Sequence, residues 1–268
     1  MRLPLDRALL CLQLLLEGNS VRSTERITGV HRDTILALLE VAGHRAEALL
    51  DSRIRAIRVR DVECDEIWGW VGMKEKNKTI DTDLLGDAYC FVGMERNTKL
   101  ILAWHLGKRD QKATDAFIGK LRYATDGGRY QFTTDGFKPY ISAVKLYLKG
   151  IVDFAQLVKV YSSPREGEQR YSPGDVVEAV PVPIMGLPVR NQICTSHIER
   201  QNLSIRMGMR RMTRLTNAFS KKWENLEAAY SLWFAYYNFC RVHQTLRISP
   251  AMEAGISDHL WSISELLQ

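Results

Sequence analysis

Glu199 is the only acid in a long basic stretch. Arg200, Arg206, Arg210, Arg211, Arg214, Lys221 and Lys222 follow it, and no second acid appears until Glu224. Thr195 to Arg214 reads as one helix, with Thr195 or Ser196 able to cap its start and Ile198, Leu203 and Ile205 as apolar anchors. Helical spacing places Glu199, Asn202 and Arg206 on one face. Arg206, Arg210 and Arg214 recur every four residues, a spacing able to follow a phosphate backbone. A lone carboxylate beside stacked guanidiniums suits an acid that works on a polyanion. A solvated charged helix has the same composition, so the choice between the two rests on the rest of the chain.

Two further acids stand where strands should hold them. Val62 to Val71 alternates and is rich in β-branched and aromatic residues, with Asp65 inside it. Tyr130 to Thr134 is a second such run and ends in Asp135-Gly136. Between them, Tyr89 to Met94 and Leu100 to Leu106 read as strands joined at Arg96-Asn97, and Ala113 to Ala124 as an amphipathic helix. Pro139 to Leu148 reads as a helix and Val152 to Val160 as a fifth strand. Three strands and then helix, strand, helix, strand, helix is the order of a ribonuclease-H-like α/β layer. In that order the first and fourth strands are neighbours, so Asp65 and Asp135 stand side by side and Glu199 leans over them.

Carboxylates this close repel unless a cation neutralises them. Mg²⁺, with Mn²⁺ as a substitute, accepts such an oxygen-rich shell and keeps positions open for water and phosphate oxygens. Two ions about 4 Å apart activate a nucleophilic oxygen and stabilise the leaving one, so phosphodiesters are cut or joined without a covalent enzyme intermediate. Period-two alternation puts Glu66 on the face opposite Asp65, whereas Glu63 shares its face and is the stronger rival. His197, two residues before Glu199, points away from the acids and suits capping or a phosphate contact. Cys64 and Cys194 read as core.

Flanking regions complete the organisation. Residues 1–50 carry three helical patterns: one ending at Gly18, one opened by Ser20, and one from His31 to Val41 after the Thr28-Gly29-Val30 turn. This resembles a helix-turn-helix unit that would present His31, Arg32 and Thr34 to a major groove. Residues 51–61 form a basic linker, 62–214 the catalytic layer with an inserted Pro/Gly-rich loop at 162–188, and 215–268 a helical extension. In that extension Trp223, Leu226, Tyr230, Trp233, Phe234 and Tyr237 form a stripe that reads as core.

The composition agrees. Of 268 residues, 46% are apolar and 25% charged, with a formal charge of +6, a tilt towards polyanions. Five scattered cysteines without a Cys-x-x-Cys pair argue against a disulfide framework or zinc ribbon and for a reducing, cytoplasmic setting. The apolar run Leu9 to Leu16 is broken by Gln13, which is expected of neither a signal peptide nor a membrane span.

Asp65-Glu66-Ile67-Trp68, Thr133-Thr134-Asp135-Gly136 and His197 to Leu203 resemble the motifs of DDE-type transposases, most closely bacterial insertion-sequence transposases of the insertion-sequence-one type. The likeness continues through Met209 to Lys222, Tyr236 to Arg247 and Ser249 to Met252, and includes the N-terminal helices. It implies that Asp65, Asp135 and Glu199 bind two metal ions and catalyse. It implies hydrolysis at the ends of a mobile element, and then attack of the freed 3′-hydroxyl on target DNA. The expected partner is double-stranded DNA, bound as a homo-oligomer in the nucleoid. His31, Arg32, Thr34, Asn202, Arg206, Arg210, Arg211 and Arg214 are the expected DNA contacts. Some relatives carry a cysteine-pair zinc ribbon ahead of the helices, and this chain has none. Two alternatives stay open: a catalytically silent DNA-binding regulator derived from a transposase, and a metal-dependent nuclease without strand transfer.

Overall fold

A mixed sheet of six strands carries the chain. The computed structural model describes residues 3–80, 82–162, 176–214 and 216–268. The strands are β1 (Asp61–Val71), β2 (Gly86–Glu95), β3 (Ile101–Gly107), β4 (Tyr130–Asp135), β5 (Val152–Tyr161) and β6 (Val176–Met185), in the spatial order β3-β2-β1-β4-β5-β6. The hairpin pairs β1·β2 and β2·β3 are antiparallel, whereas β1·β4 and β4·β5 are parallel. The helices are α1 (Leu5–Leu16), α2 (Val21–Thr28), α3 (Arg32–Arg53), α4 (Gln111–Ala124), α5 (Pro139–Tyr147), α6 (Ser196–Gly208), α7 (Trp223–Ala235), α8 (Pro250–Glu253) and α9 (Ile263–Leu266). Among the described residues no helix is long and apolar enough to cross a membrane.

Parallel neighbours need a crossover, and α4 and α5 supply the helices that follow β3 and β4. Asp110 caps α4 by accepting from the Ala113 amide at 2.8 Å, and Pro139 opens α5 where its missing N–H costs nothing. Phe91, Phe117, Phe132, Phe154 and Tyr140 are fully buried between sheet and helices.

The strand β6 falls inside the segment expected to be a loop at 162–188. Pro181 and Pro183 conceal it in the sequence. Both pair with β5, at Leu157 and Ala155, from the outermost position in the sheet. An edge strand tolerates proline because only one side of its backbone has to bond. Residues 163–175 of that expected loop lie outside the described residues.

The N-terminal helices are not separated from the sheet by a linker at 51–61. The third helix runs on past Val41 to Arg53, and only 54–60 join it to β1. Ile54, Ile57 and Val59 of that join are buried, and Ile57 bridges to Thr125. Along α3, Leu39, Ala42, Ala46 and Leu50 pack into the same core as the sheet and α7. As expected, most of the aromatic stripe is core: Tyr230, Trp233 and Phe234 of α7 and Tyr237 after it are buried, and Trp223 is half-buried. The extension after residue 215 therefore clamps the N-terminal helices to the sheet.

That clamp depends on one glycine. A Cβ on Gly43 would fall 2.5 Å from the Cα and Cβ of Ala228 in α7. Alanine is better than glycine in a free helix by about 1 kcal/mol. Here the overlap is with backbone, so we expect Gly43→Ala to destabilise the fold by about 1–3 kcal/mol, read as a lowered melting temperature. A neutral or stabilising substitution would contradict the α3–α7 contact.

Candidate active site

Strand pairing brings two of the acids together. Parallel register sets Cys64 of β1 against Thr134 of β4, so the next residues, Asp65 and Asp135, lie side by side where β4 ends. On its other side Asp135 pairs with Leu157 of β5, which points the following residues, Val158 and Lys159, along the same edge. The third acid arrives on α6.

Three polar rungs hold α6 along β1. Glu63 Oε2 accepts from the backbone amides of His197 and Ile198 at 3.0 and 3.1 Å, while Glu63 Oε1 meets His197 Nδ1 at 2.8 Å. Asn202 Nδ2 donates to Asp65 Oδ2 at 2.8 Å, and Arg206 donates to the Trp68 carbonyl at 2.9 Å. The first two rungs match geometrically: two strand residues advance about 6.7 Å, and four to five helical residues about 6–7.5 Å. Glu63, buried completely, therefore caps α6. Thr195 and Ser196 make no side-chain cap. The Thr195 hydroxyl turns instead to Glu199 Oε1. His197 serves the cap, as its spacing suggested. Cys194 is half-exposed and not core, whereas Cys64 is buried.

Glu66 does not lie away from the acids, as alternation had it. Oxygens of Asp65, Glu66 and Asp135 all fall within 4.8 Å of one another. The β1–β4 register ends at Cys64 and Thr134, one residue before Asp65 and Asp135. The Glu66 side chain is only 3% exposed and lies against the Tyr140 hydroxyl. Arg109 answers one Glu66 oxygen. It donates to Glu66 Oε2 at 3.2 Å, stands 3.6 Å from Asp135 Oδ2, and lies 4.1 Å from the centre of the Phe137 ring. Asp135 Oδ1 also accepts from the Phe137 amide at 3.0 Å. Glu199 stands apart from this trio, paired with Lys159 of β5.

Two open clefts meet at the acids. A cavity of about 750 Å³ is lined by Asp65, Asp135, Glu199, Arg109, Lys159 and Tyr161 among others. A second, of about 310 Å³, is lined by Asp65, Glu66, Glu199, Asn202, Arg206 and Arg214 among others. Asp65 and Glu199 line both, so the two clefts adjoin at the acids. The donor set is entirely carboxylate, and that fits a hard divalent cation better than a thiophilic one.

Burial and mutual repulsion leave their mark on protonation. Burial first, then the Asp135 charge, raises Asp65 to about 7 and Glu66 to about 8. Burial also raises Asp135, against the Phe137 amide and Arg109. For Lys159, burial acts downward, but the hydrogen bond and charge of Glu199 hold it above its ordinary value.

The basic run is divided by the structure. The helix ends at Gly208 and not at Arg214, with a 3₁₀ turn at Arg210–Met212 after it. Arg206, Arg210 and Arg214 therefore share no helical face. Arg206 is committed to the Trp68 and Met212 carbonyls. The Arg211 guanidinium is enclosed, bonded to Ser220 Oγ and the Asn225 carbonyl, and burial lowers it to about 10. Asn202 is committed to Asp65. These three are corrected from DNA contacts to structural groups, whereas Arg210 and Arg214 are exposed. At the other end of the chain, His31, Arg32 and Thr34 are exposed at the head of α3, after a turn with Gly29 at φ 69°. Arg109 and Lys159 escaped sequence reading, since neither lies in a motif: strand register brings Lys159 to the acids, and Arg109 reaches them from the turn between β3 and α4.

The raised acids give a pH signature. Their folded pKa values exceed the ordinary 3.8 and 4.5, so they stabilise the ion-free fold at low pH. That contribution is lost as pH rises through about 7 and 8. We expect the melting temperature of ion-free protein to fall between about pH 5 and pH 8, and Mg²⁺ or Mn²⁺ to restore it at the upper end. In an Asp65→Asn, Glu66→Gln variant both effects should shrink. A melting temperature indifferent to the ions at high pH would contradict the acid cluster.

No protein-family model matches the chain, and no curated protein matches it either.

Proposed function

We propose that the chain is a DDE-type DNA transposase: the mixed sheet is its ribonuclease-H-like catalytic layer, and α2 and α3 form a DNA-reading helix-turn-helix. One observation carries the reading. A carboxylate within β1, one at the end of the parallel neighbour β4 and one on a helix docked along β1 line two open, cation-rimmed clefts. The residue pattern Asp65, Asp135, Glu199 and the motifs around them support the same family.

Asp65 and Asp135, with Glu199 opposite, would hold divalent ions, Mg²⁺ or Mn²⁺. Bound there, such ions supply activation of an attacking oxygen and stabilisation of the leaving one. The chain's own residues do the rest. Asn202 fixes the orientation of Asp65, and the Phe137 amide fixes that of Asp135. Arg109 rims the cleft beside Asp135, and Arg214 rims its continuation beside Glu199, which gives a polyanionic strand a positive border on both sides of the acids. The exposed groups at the head of α3, His31, Arg32 and Thr34, are the proposed readers of the element ends, and Arg210 and Arg214 proposed phosphate contacts.

The test is divalent-ion-dependent cleavage of duplex carrying the element end. Asp135→Asn removes one charge and keeps the Phe137 contact, so we expect cleavage to fall by about 10³-fold or more while duplex binding stays within about twofold. Retained cleavage would overturn the site assignment. Loss of binding and cleavage together would show that Asp135 acts on the fold.

A further inference from the structure

Glu199 is not free to join its partner acids. Its Oε1 accepts from both the Lys159 ammonium and the Thr195 hydroxyl, and it lies outside the trio of Asp65, Glu66 and Asp135. Lys159 and Glu199 come from strand and helix, 40 residues apart, and face each other across the cleft. Both are partly exposed, at 24% and 41%, so neither is locked by packing. Asp65 and Asp135 stand close enough that Lys159 also acts on both through space.

Building on the transposase reading, we propose that Lys159 is the exchangeable counterion of this acid cluster. Without a divalent ion its ammonium neutralises Glu199. When an ion takes the Glu199 carboxylate, the ammonium is released into the cleft and passes to a phosphate of the DNA strand lying there.

Charge and geometry support the exchange. The ion and the ammonium compete for the charge of the same carboxylate, so the lysine opposes ion binding at Glu199. Once displaced, the ammonium stays on β5 in the cleft wall, beside the place a phosphate occupies when it meets ions held by Asp65 and Asp135. A fixed structural salt bridge behaves differently: its removal should loosen Glu199 and weaken both functions together. The exchange predicts opposite signs for ion affinity and for chemistry.

The experiment is Mn²⁺ binding to the full chain, read from the resonance signal of free Mn²⁺, beside duplex cleavage at saturating Mn²⁺. Lys159→Met keeps the aliphatic stem and removes the charge. It should bind Mn²⁺ about three- to tenfold tighter, the scale of a partly exposed ion pair, and cleave about tenfold or more slowly. Lys159→Arg should restore most of both, and it keeps the test open if the methionine variant has a lowered melting temperature. Unchanged or weaker Mn²⁺ binding in Lys159→Met overturns the exchange, as does unchanged cleavage at saturation. If the wild type binds Mn²⁺ yet cuts no duplex, the transposase reading falls and the affinity comparison alone upholds or overturns the exchange.

Discussion

Like charge held at close range is the constraint around which this molecule is built. Parallel pairing of β1 with β4 obliges Asp65 and Asp135 to share one strand edge, and Glu66 joins them there. Such a cluster survives in an ion-free fold only by holding protons or borrowing cations. It does both. Burial raises Asp65 and Glu66 into the neutral range, and Arg109 and Lys159 stand in as resident cations. A site that must be neutralised from within is also one that a hard divalent ion can enter with a gain in stability.

The support beneath the acids is as particular as the acids. Glu63, one alternate residue before Asp65, gives its carboxylate to the first amides of α6. Asn202 and Arg206 tie the same helix to the same strand further along. Residues whose types suggest contact with DNA are thereby spent on positioning Glu199. The long α3 and the aromatic α7 brace this assembly through a backbone contact at Gly43, so the N-terminal helices share the sheet's core.

Much of this was legible in the chain, because hydrophobic period and turn residues are local signals. The first five strands and the helices at 113–124 and 139–148 could be read from such signals, and the neighbouring of the Asp65 and Asp135 strands followed from the element order of a ribonuclease-H-like layer. What could not be read depends on non-local facts. Pro181 and Pro183 disguised β6, since proline in a strand is allowed only at an edge, and edges are a property of the whole sheet. Alternation assigned Glu66 away from the acids, but it describes one strand's faces and not how near a long carboxylate comes to the end of a neighbouring strand. The basic run looked like one helix because nothing local announces the end at Gly208. Its glycine is the only cue, and Trp233 packs against it from α7.

The central claim is that these carboxylates join DNA as well as cut it. A labelled duplex bearing the sequence that borders the coding region, incubated with the full chain, Mg²⁺ and a target plasmid, tests it most directly. Label covalently joined to plasmid through its 3′ end is the predicted result. Label that is cut but never joined, or never cut, would contradict the account.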